Sequence, residues 1–128
     1  MGTIATVGPN GQPQAANVAF SQNDQLELII GTSATSRKAL NIDRDLRVAY
    51  EVTDPDRRYT VQFEGIAHRL SSDEFAEREA THFAKLPGSL PFKDIKGQVY
   101  FLLQPTWVRF SDCGVHPWAV TEFQFNDK

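Results

Sequence analysis

The stretch Thr3-Ile4-Ala5-Thr6-Val7-Gly8-Pro9-Asn10-Gly11, continued by residues 13–20, decides the fold class. A short β-branched run meets a Gly-Pro-Asn-Gly cluster, and a second extended run follows. Val, Ile and Thr suit the pleated surface of a strand, while Gly, Pro and Asn supply the backbone angles of a hairpin turn. Ser21-Gln22-Asn23-Asp24 reads as a second turn, and Leu26-Glu27-Leu28-Ile29-Ile30 as a third strand ending at Gly31. The first 31 residues are expected to form a meander of three antiparallel strands.

Working outward, Thr32-Ser33-Ala34-Thr35-Ser36 is a run of small, mostly hydroxyl residues before Arg37-Lys38-Ala39-Leu40-Asn41-Ile42. Thr35 or Ser36 can cap a short helix, because a side-chain oxygen accepts from the free amides of the first turn. Residues 45–53 read as a strand around Val48-Ala49-Tyr50, and Asp54-Pro55-Asp56 as a loop. Residues 59–70 form the longest strand candidate, with Val61, Phe63 and Ala67 on one face and Gln62 and Glu64 on the other. Ser71-Ser72-Asp73-Glu74 is a capping box with Ser71 as N-cap. It opens one amphipathic helix, with Phe75, Ala76, Ala80, Phe83 and Ala84 on its core side and Pro87-Gly88 as its stop. A loop containing Pro91 and Gly97 leads to strands over 98–103, 107–110 and 119–125. Six or seven strands with two short helices predict a mainly β fold, an antiparallel barrel with helical covers.

Composition bounds the function. A chain of 128 residues fits one domain spanning 1–128. Thirteen basic and sixteen acidic residues give a net charge of −3, so no overall positive field would gather nucleic acid or an anionic membrane surface. The apolar runs at 26–30 and 99–103 are far shorter than the ~20 residues that span a bilayer. No charged-then-apolar leader precedes Gly2, and a single cysteine, Cys113, cannot form an internal disulfide, so a cytoplasmic location is expected. A domain of this size buries only about two thirds of its unfolded surface, leaving little volume for an enclosed pocket of its own.

Nucleotide-loop, zincin and nucleophile-elbow motifs are missing from the sequence. Cys113 and His116 lie three apart, but zinc needs four ligands and no second cysteine exists, so no metal site is expected. His68 and His82 have no partner at ligand spacing and read as surface or structural imidazoles. The segment from Thr32 to Lys38 is different. It sets hydroxyls and two cations beside a helix N-terminus, where exposed amides and the dipole favour an anion. Arg37 can grip a phosphate with its planar fork and Lys38 adds a compact charge. On chemistry alone, solvated surface charges are the commoner reading of such a pair.

Several local sequences in order resemble the pyridoxamine 5′-phosphate oxidase-like family of FMN-binding split β-barrels. They run from Gly2-Thr3-Ile4-Ala5-Thr6-Val7 and Gly11-Gln12-Pro13-Gln14 through Ile29-Ile30-Gly31-Thr32, Ser36-Arg37-Lys38-Ala39 and Asn41-Ile42. Gln62-Phe63-Glu64-Gly65 and Pro105-Thr106-Trp107-Val108-Arg109-Phe110-Ser111-Asp112 complete the series. The resemblance implies FMN held at the interface of a homodimer. It places the FMN phosphate on Ser36, Arg37 and Lys38, the flavin along Ile30, Gly31 and Thr32, and backbone contacts to the ring near Asn17, Val18 and Ala19. A family glutamine five residues before the strand glycine is replaced by Thr60. Trp107, Arg109 and Trp118 become candidates for the wall supplied by the second subunit.

Departures narrow the reaction. Ala16 stands where true pyridoxamine phosphate oxidases carry an arginine, and Ser111 falls where their C-terminal tryptophan would be. The family helix before the first strand is also expected to be absent. The resemblance therefore implies an FMN-dependent oxidoreductase acting on a small-molecule substrate or electron donor other than pyridoxamine phosphate. A non-catalytic FMN binder or carrier, or a split barrel holding a deazaflavin or haem, are the alternatives.

Overall fold

The computed structural model describes residues 1–125. The chain forms β1 (Gly2–Val7), a 3-10 turn (Pro9–Gly11), β2 (Pro13–Val18), β3 (Ser21–Gln22), β4 (Leu28–Ser33) and α1 (Arg37–Arg44). There follow β5 (Arg47–Asp54), β6 (Tyr59–Arg69), α2 (Ser72–Ala76), α3 (Glu79–Lys85), a 3-10 segment (Pro87–Phe92), β7 (Gln98–Asp112) and β8 (Ala119–Gln124). The strands make one sheet in the order β2-β1-β5-β6-β7-β4-β3, with β8 added on β7. Every pairing is antiparallel. The first and last strands of that path, β2 and β3, are joined by Ala19 and Phe20 alone. So short a link draws the two edges of the sheet together without pairing them, and the fold is a split β-barrel.

The β1–β2 hairpin forms as expected, with Thr3 opposite Asn17 and Val7 opposite Pro13. The three-strand meander does not. Ser21 and Gln22 form a small strand rather than a turn, and β4 pairs with β7, from Leu28 opposite Leu103 to Ser33 opposite Gln98. The reason lies in Leu28, Ile29 and Ile30, which are buried in succession. Such a run needs cover on both faces. Leu28 and Ile30 enter the barrel core with Phe101 and Leu103, while Ile29 packs outside with Leu70, Phe75 and Phe83. An edge beside β2, whose residues alternate between exposed and half-buried up to Val18, would cover only one of those faces.

The single helix expected after Ser71 is two. Ser71 builds the capping box, with its hydroxyl 3.1 Å from the Glu74 amide. The helix then breaks at Arg78, whose guanidinium donates to the Glu74 carbonyl at 2.8 Å while its amide turns to Phe75 at the same distance. Capture of that carbonyl removes the acceptor that an α-helical Arg78 amide would use. The buried stripe is Phe75, His82 and Phe83; Ala76, Ala80 and Ala84 are exposed.

The two strands expected over 98–110 are one, continuous through Pro105, which sits opposite Gly65 at a register shift. A proline donates no ladder hydrogen bond, so it is accommodated at such an irregularity. In the barrel core, Tyr50 donates to the Val18 carbonyl at 2.5 Å, tying β5 to the end of β2. Ala39 and Ile42 of α1 pack into the same core.

Candidate cofactor cleft

Helix α1 begins at a well-made cap. Ser36 Oγ accepts from the Ala39 amide at 3.2 Å and from the Thr32 hydroxyl at 3.0 Å. Farther along, buried Asn41 donates to Thr6 at 2.9 Å and to Gln14 at 2.7 Å, and accepts from Arg44 at 2.7 Å. These bonds fix the helix across β1 and β2, and so aim its N-terminus. No carboxylate occupies the first turn. Arg37 is exposed, Lys38 half-buried, and neither forms an ion pair among the described residues. Free amides, the positive end of the helix and two cations without ion-pair partners among the described residues belong to the same first turn, a combination suited to an anion.

Beside it, where the barrel is split, lies a cleft of about 240 Å³. Val18 and Ala19 from the end of β2 and Gly31 and Thr32 from β4 form one side; His82, Leu86, Ser89 and Phe92 from α3 and the 3-10 segment form the other, with Gln98 and Tyr100 of β7. Gly31 has a packing reason: a Cβ there would stand 2.7 Å from Tyr100 Cε1 and 2.8 Å from Gln98 Nε2. Its bare backbone lets the Tyr100 ring close over the strand.

Of the residues singled out in the sequence, Val18, Ala19, Gly31 and Thr32 come together in this cleft. The Thr32–Ser36 bond connects them to Arg37 and Lys38. Ile30 is fully buried in the barrel core, so its side chain faces away. Asn17 is exposed on β2 and does not line the cleft. Thr60 lies apart, paired with Thr53 and Ser111. Ser111 is eleven residues along β7 from Tyr100, roughly 36 Å of extended strand at about 3.3 Å per residue. Trp107 and Arg109 share that far half of β7, and Trp118 precedes β8 and is exposed. Arg109 approaches Glu122 to 3.7 Å, but its Nε is buried without a partner.

His82 gains a role in the site that sequence spacing did not give it. It is 2% exposed, with Nδ1 2.6 Å from Ser21 Oγ, and burial holds its imidazole below the usual histidine range. Its position seven residues after Phe75, on one helical face, was the available signal. His68 and His116 are exposed, and among the described residues no three His, Cys, Asp or Glu side chains gather as metal ligands.

The arrangement fits part of an FMN site. A phosphate matches the first turn of α1, and a planar ring matches a slot between two strand ends. The cleft is smaller than the ~300 Å³ at the low end of enclosed ligand pockets.

Solved structures of similar fold include a heme binding protein from Mycobacterium smegmatis, at 22% identity and a TM-score of 0.80. The match covers 96% of this chain and 52% of that protein, so the chain spans about half its length. A pyridoxamine 5′-phosphate oxidase-related, FMN binding protein from Nostoc punctiforme matches at 18% identity and a TM-score of 0.72, over 98% and 86% of the two chains. An F420 reductase matches at 25% identity and a TM-score of 0.69, over 84% and 86%. No curated protein matches the sequence. No helix among the described residues is long and apolar enough to cross a membrane. The profile of the pyridoxamine 5′-phosphate oxidase family matches residues 1–112, nearly the whole split barrel and all of the cleft, and the chain belongs to that family.

Proposed function

We propose that the protein is an FMN-binding flavoprotein, with the cofactor shared between two copies of the chain, and that it acts as an oxidoreductase on a small molecule. The observation that carries this reading is the 3.0 Å bond from Thr32 to Ser36. It joins the wall of a ring-sized cleft to the cap of a helix whose first turn offers Arg37 and Lys38 without a carboxylate. Ser36, Arg37 and Lys38 would hold the phosphate; Val18, Ala19, Gly31 and Thr32 would flank the ring, with backbone groups near Asn17 and Ile30 contributing. Bound FMN supplies hydride or electron transfer. The protein would orient the ring, with Leu86 and Phe92 lining the opposite side of the cleft.

Two copies are supported by the size of the cleft and by the distant placement of Thr60, Ser111 and Arg109. A two-fold axis can bring the far end of β7 in one protomer onto the cleft of the other. The substrate is proposed to differ from pyridoxamine phosphate, because Ala16 replaces the arginine that the resemblance leads one to expect. A deazaflavin is the second reading, supported by the likeness to an F420 reductase.

The visible spectrum of the purified protein tests the proposal. Flavin bands, released as FMN on denaturation, are expected; a colourless protein that ignores added FMN would overturn it. Reduction by a nicotinamide donor and reoxidation by an acceptor is expected of an oxidoreductase, whereas a passive carrier would show no turnover.

A further inference from the structure

The cleft is lined by His82 of α3 and Tyr100 of β7, two rings whose polar atoms the fold leaves incompletely bonded. Beyond the bond from Ser21 to Nδ1, the second ring nitrogen of His82 has no hydrogen-bond partner among the described residues. Tyr100 is 8% exposed, and its hydroxyl is buried with no hydrogen-bond partner, the Gln98 side chain lying nearby. Buried polar groups in native proteins are nearly always paired, so the unpartnered Tyr100 hydroxyl beside an unbonded imidazole nitrogen calls for an explanation.

The surroundings hold both rings rigidly. Tyr100 stacks on Phe75 with centroids 3.7 Å apart and planes 7° from parallel. His82 meets Tyr100 edge-on at 5.7 Å and is flanked by Phe75 and Phe83 at 5.9 and 5.1 Å. Ser21 lines a second cavity of about 160 Å³ that His82 also borders, and does not line the cleft. With Nδ1 taken by Ser21, Nε2 is the ring nitrogen left for a ligand in the cleft that His82 lines. A serine hydroxyl can donate or accept, and whichever it does fixes the imidazole tautomer.

We propose that His82 and Tyr100 are the ligand-recognition pair of the cleft, hydrogen-bonding the carbonyl- and imide-bearing edge of a planar heteroaromatic ring, with Ser21 as the positioning residue for the imidazole. The inference rests on the flavin reading, and flavin and deazaflavin rings share that edge. A ligand reaches the Tyr100 hydroxyl by displacing the Gln98 side chain beside it.

The test is titration of Tyr100→Phe, His82→Gln and Ser21→Ala proteins with lumiflavin, which has the ring but no phosphate, and with FMN. Thermal unfolding of each ligand-free protein is measured alongside. Tyr100→Phe and His82→Gln are each expected to weaken both ligands by the same factor, roughly tenfold, the size of one hydrogen bond. Ligand-free Tyr100→Phe is expected to unfold at an unchanged or higher temperature, because it loses only an unpaired buried oxygen. Ser21→Ala should convert a single imidazole tautomer, seen by ¹⁵N NMR, into a mixture, and Ser21→Thr should restore it. Wild-type protein that binds neither ligand would sink the flavin reading and this inference with it. Wild-type binding left unaltered by Tyr100→Phe and His82→Gln would overturn this inference alone. So would a Tyr100→Phe protein that unfolds earlier yet binds normally, since the hydroxyl would then serve structure.

Discussion

The Thr32 hydroxyl donates to Ser36 Oγ at 3.0 Å, joining the strand beside the cleft to the cap of the helix that follows. Ser36 serves both, since the same oxygen accepts from the Ala39 amide. Ser36→Ala should therefore lower stability by about 1 kcal/mol, the usual cost of losing an N-cap. It should also weaken FMN. Urea unfolding and a flavin titration would measure the two losses, and a stability loss without an affinity loss would separate the cap from the site.

Arg37 and Lys38 lack ion-pair partners among the described residues, so replacing both with alanine disrupts little in the fold. The double variant is expected to bind FMN at least tenfold more weakly and riboflavin almost normally, because only FMN carries the phosphate. Equal losses for the two ligands would show that neither residue contacts phosphate.

Glycine substitutions should rank by what stands in the way. A Cβ at Gly31 meets the Tyr100 ring and the Gln98 amide at 2.7 and 2.8 Å, side chains that can yield. A Cβ at Gly65 would collide with the backbone oxygen of Gln104, which cannot. Gly31→Ala is expected to cost about 1–3 kcal/mol and Gly65→Ala more, read by denaturant midpoints.

His82 makes stability depend on pH in a defined window. Burial holds its pKa below the ordinary histidine value of about 6.5, so over that window the folded protein favours the neutral ring while the unfolded chain protonates it. The contribution is fully present above about pH 6.5 and is lost as pH falls from there toward the folded value, at up to ~1.4 kcal/mol per pH unit. The lowered carboxyls of Asp45, at about 2, and of Glu74 act at lower pH. Stability curves between pH 7 and 5 should flatten in His82→Gln.

If two chains share the cofactor, affinity must depend on concentration. Dilution below the dimer dissociation constant should release FMN, with sedimentation and flavin fluorescence changing together. Tight FMN binding by a stable monomer would contradict the shared site.

Local chemistry was readable wherever it was local. The Gly8–Gly11 turn, the Ser36 cap and the Ser71–Glu74 box each depend on neighbours within a few residues, and each forms. The partner of β4 was not readable, because a buried run such as Leu28-Ile29-Ile30 states that both faces are covered without naming what covers them. The break at Arg78 depends on a guanidinium reaching back to Glu74, a choice that helical periodicity does not encode.

The sequence by itself determined a mainly β chain, its helix caps and the cationic Ser36-Arg37-Lys38 corner, because these follow from side-chain shape, hydrogen-bonding capacity and charge at short range. Tertiary structure decided which strands adjoin, that Val18 and Ala19 join Gly31 and Thr32 at one cleft, and that His82 meets Ser21 sixty-one residues away. Those outcomes come from closing one sheet on itself. Closure brings distant segments together according to which faces must be buried, and nothing in the spacing of residues along the chain records that requirement.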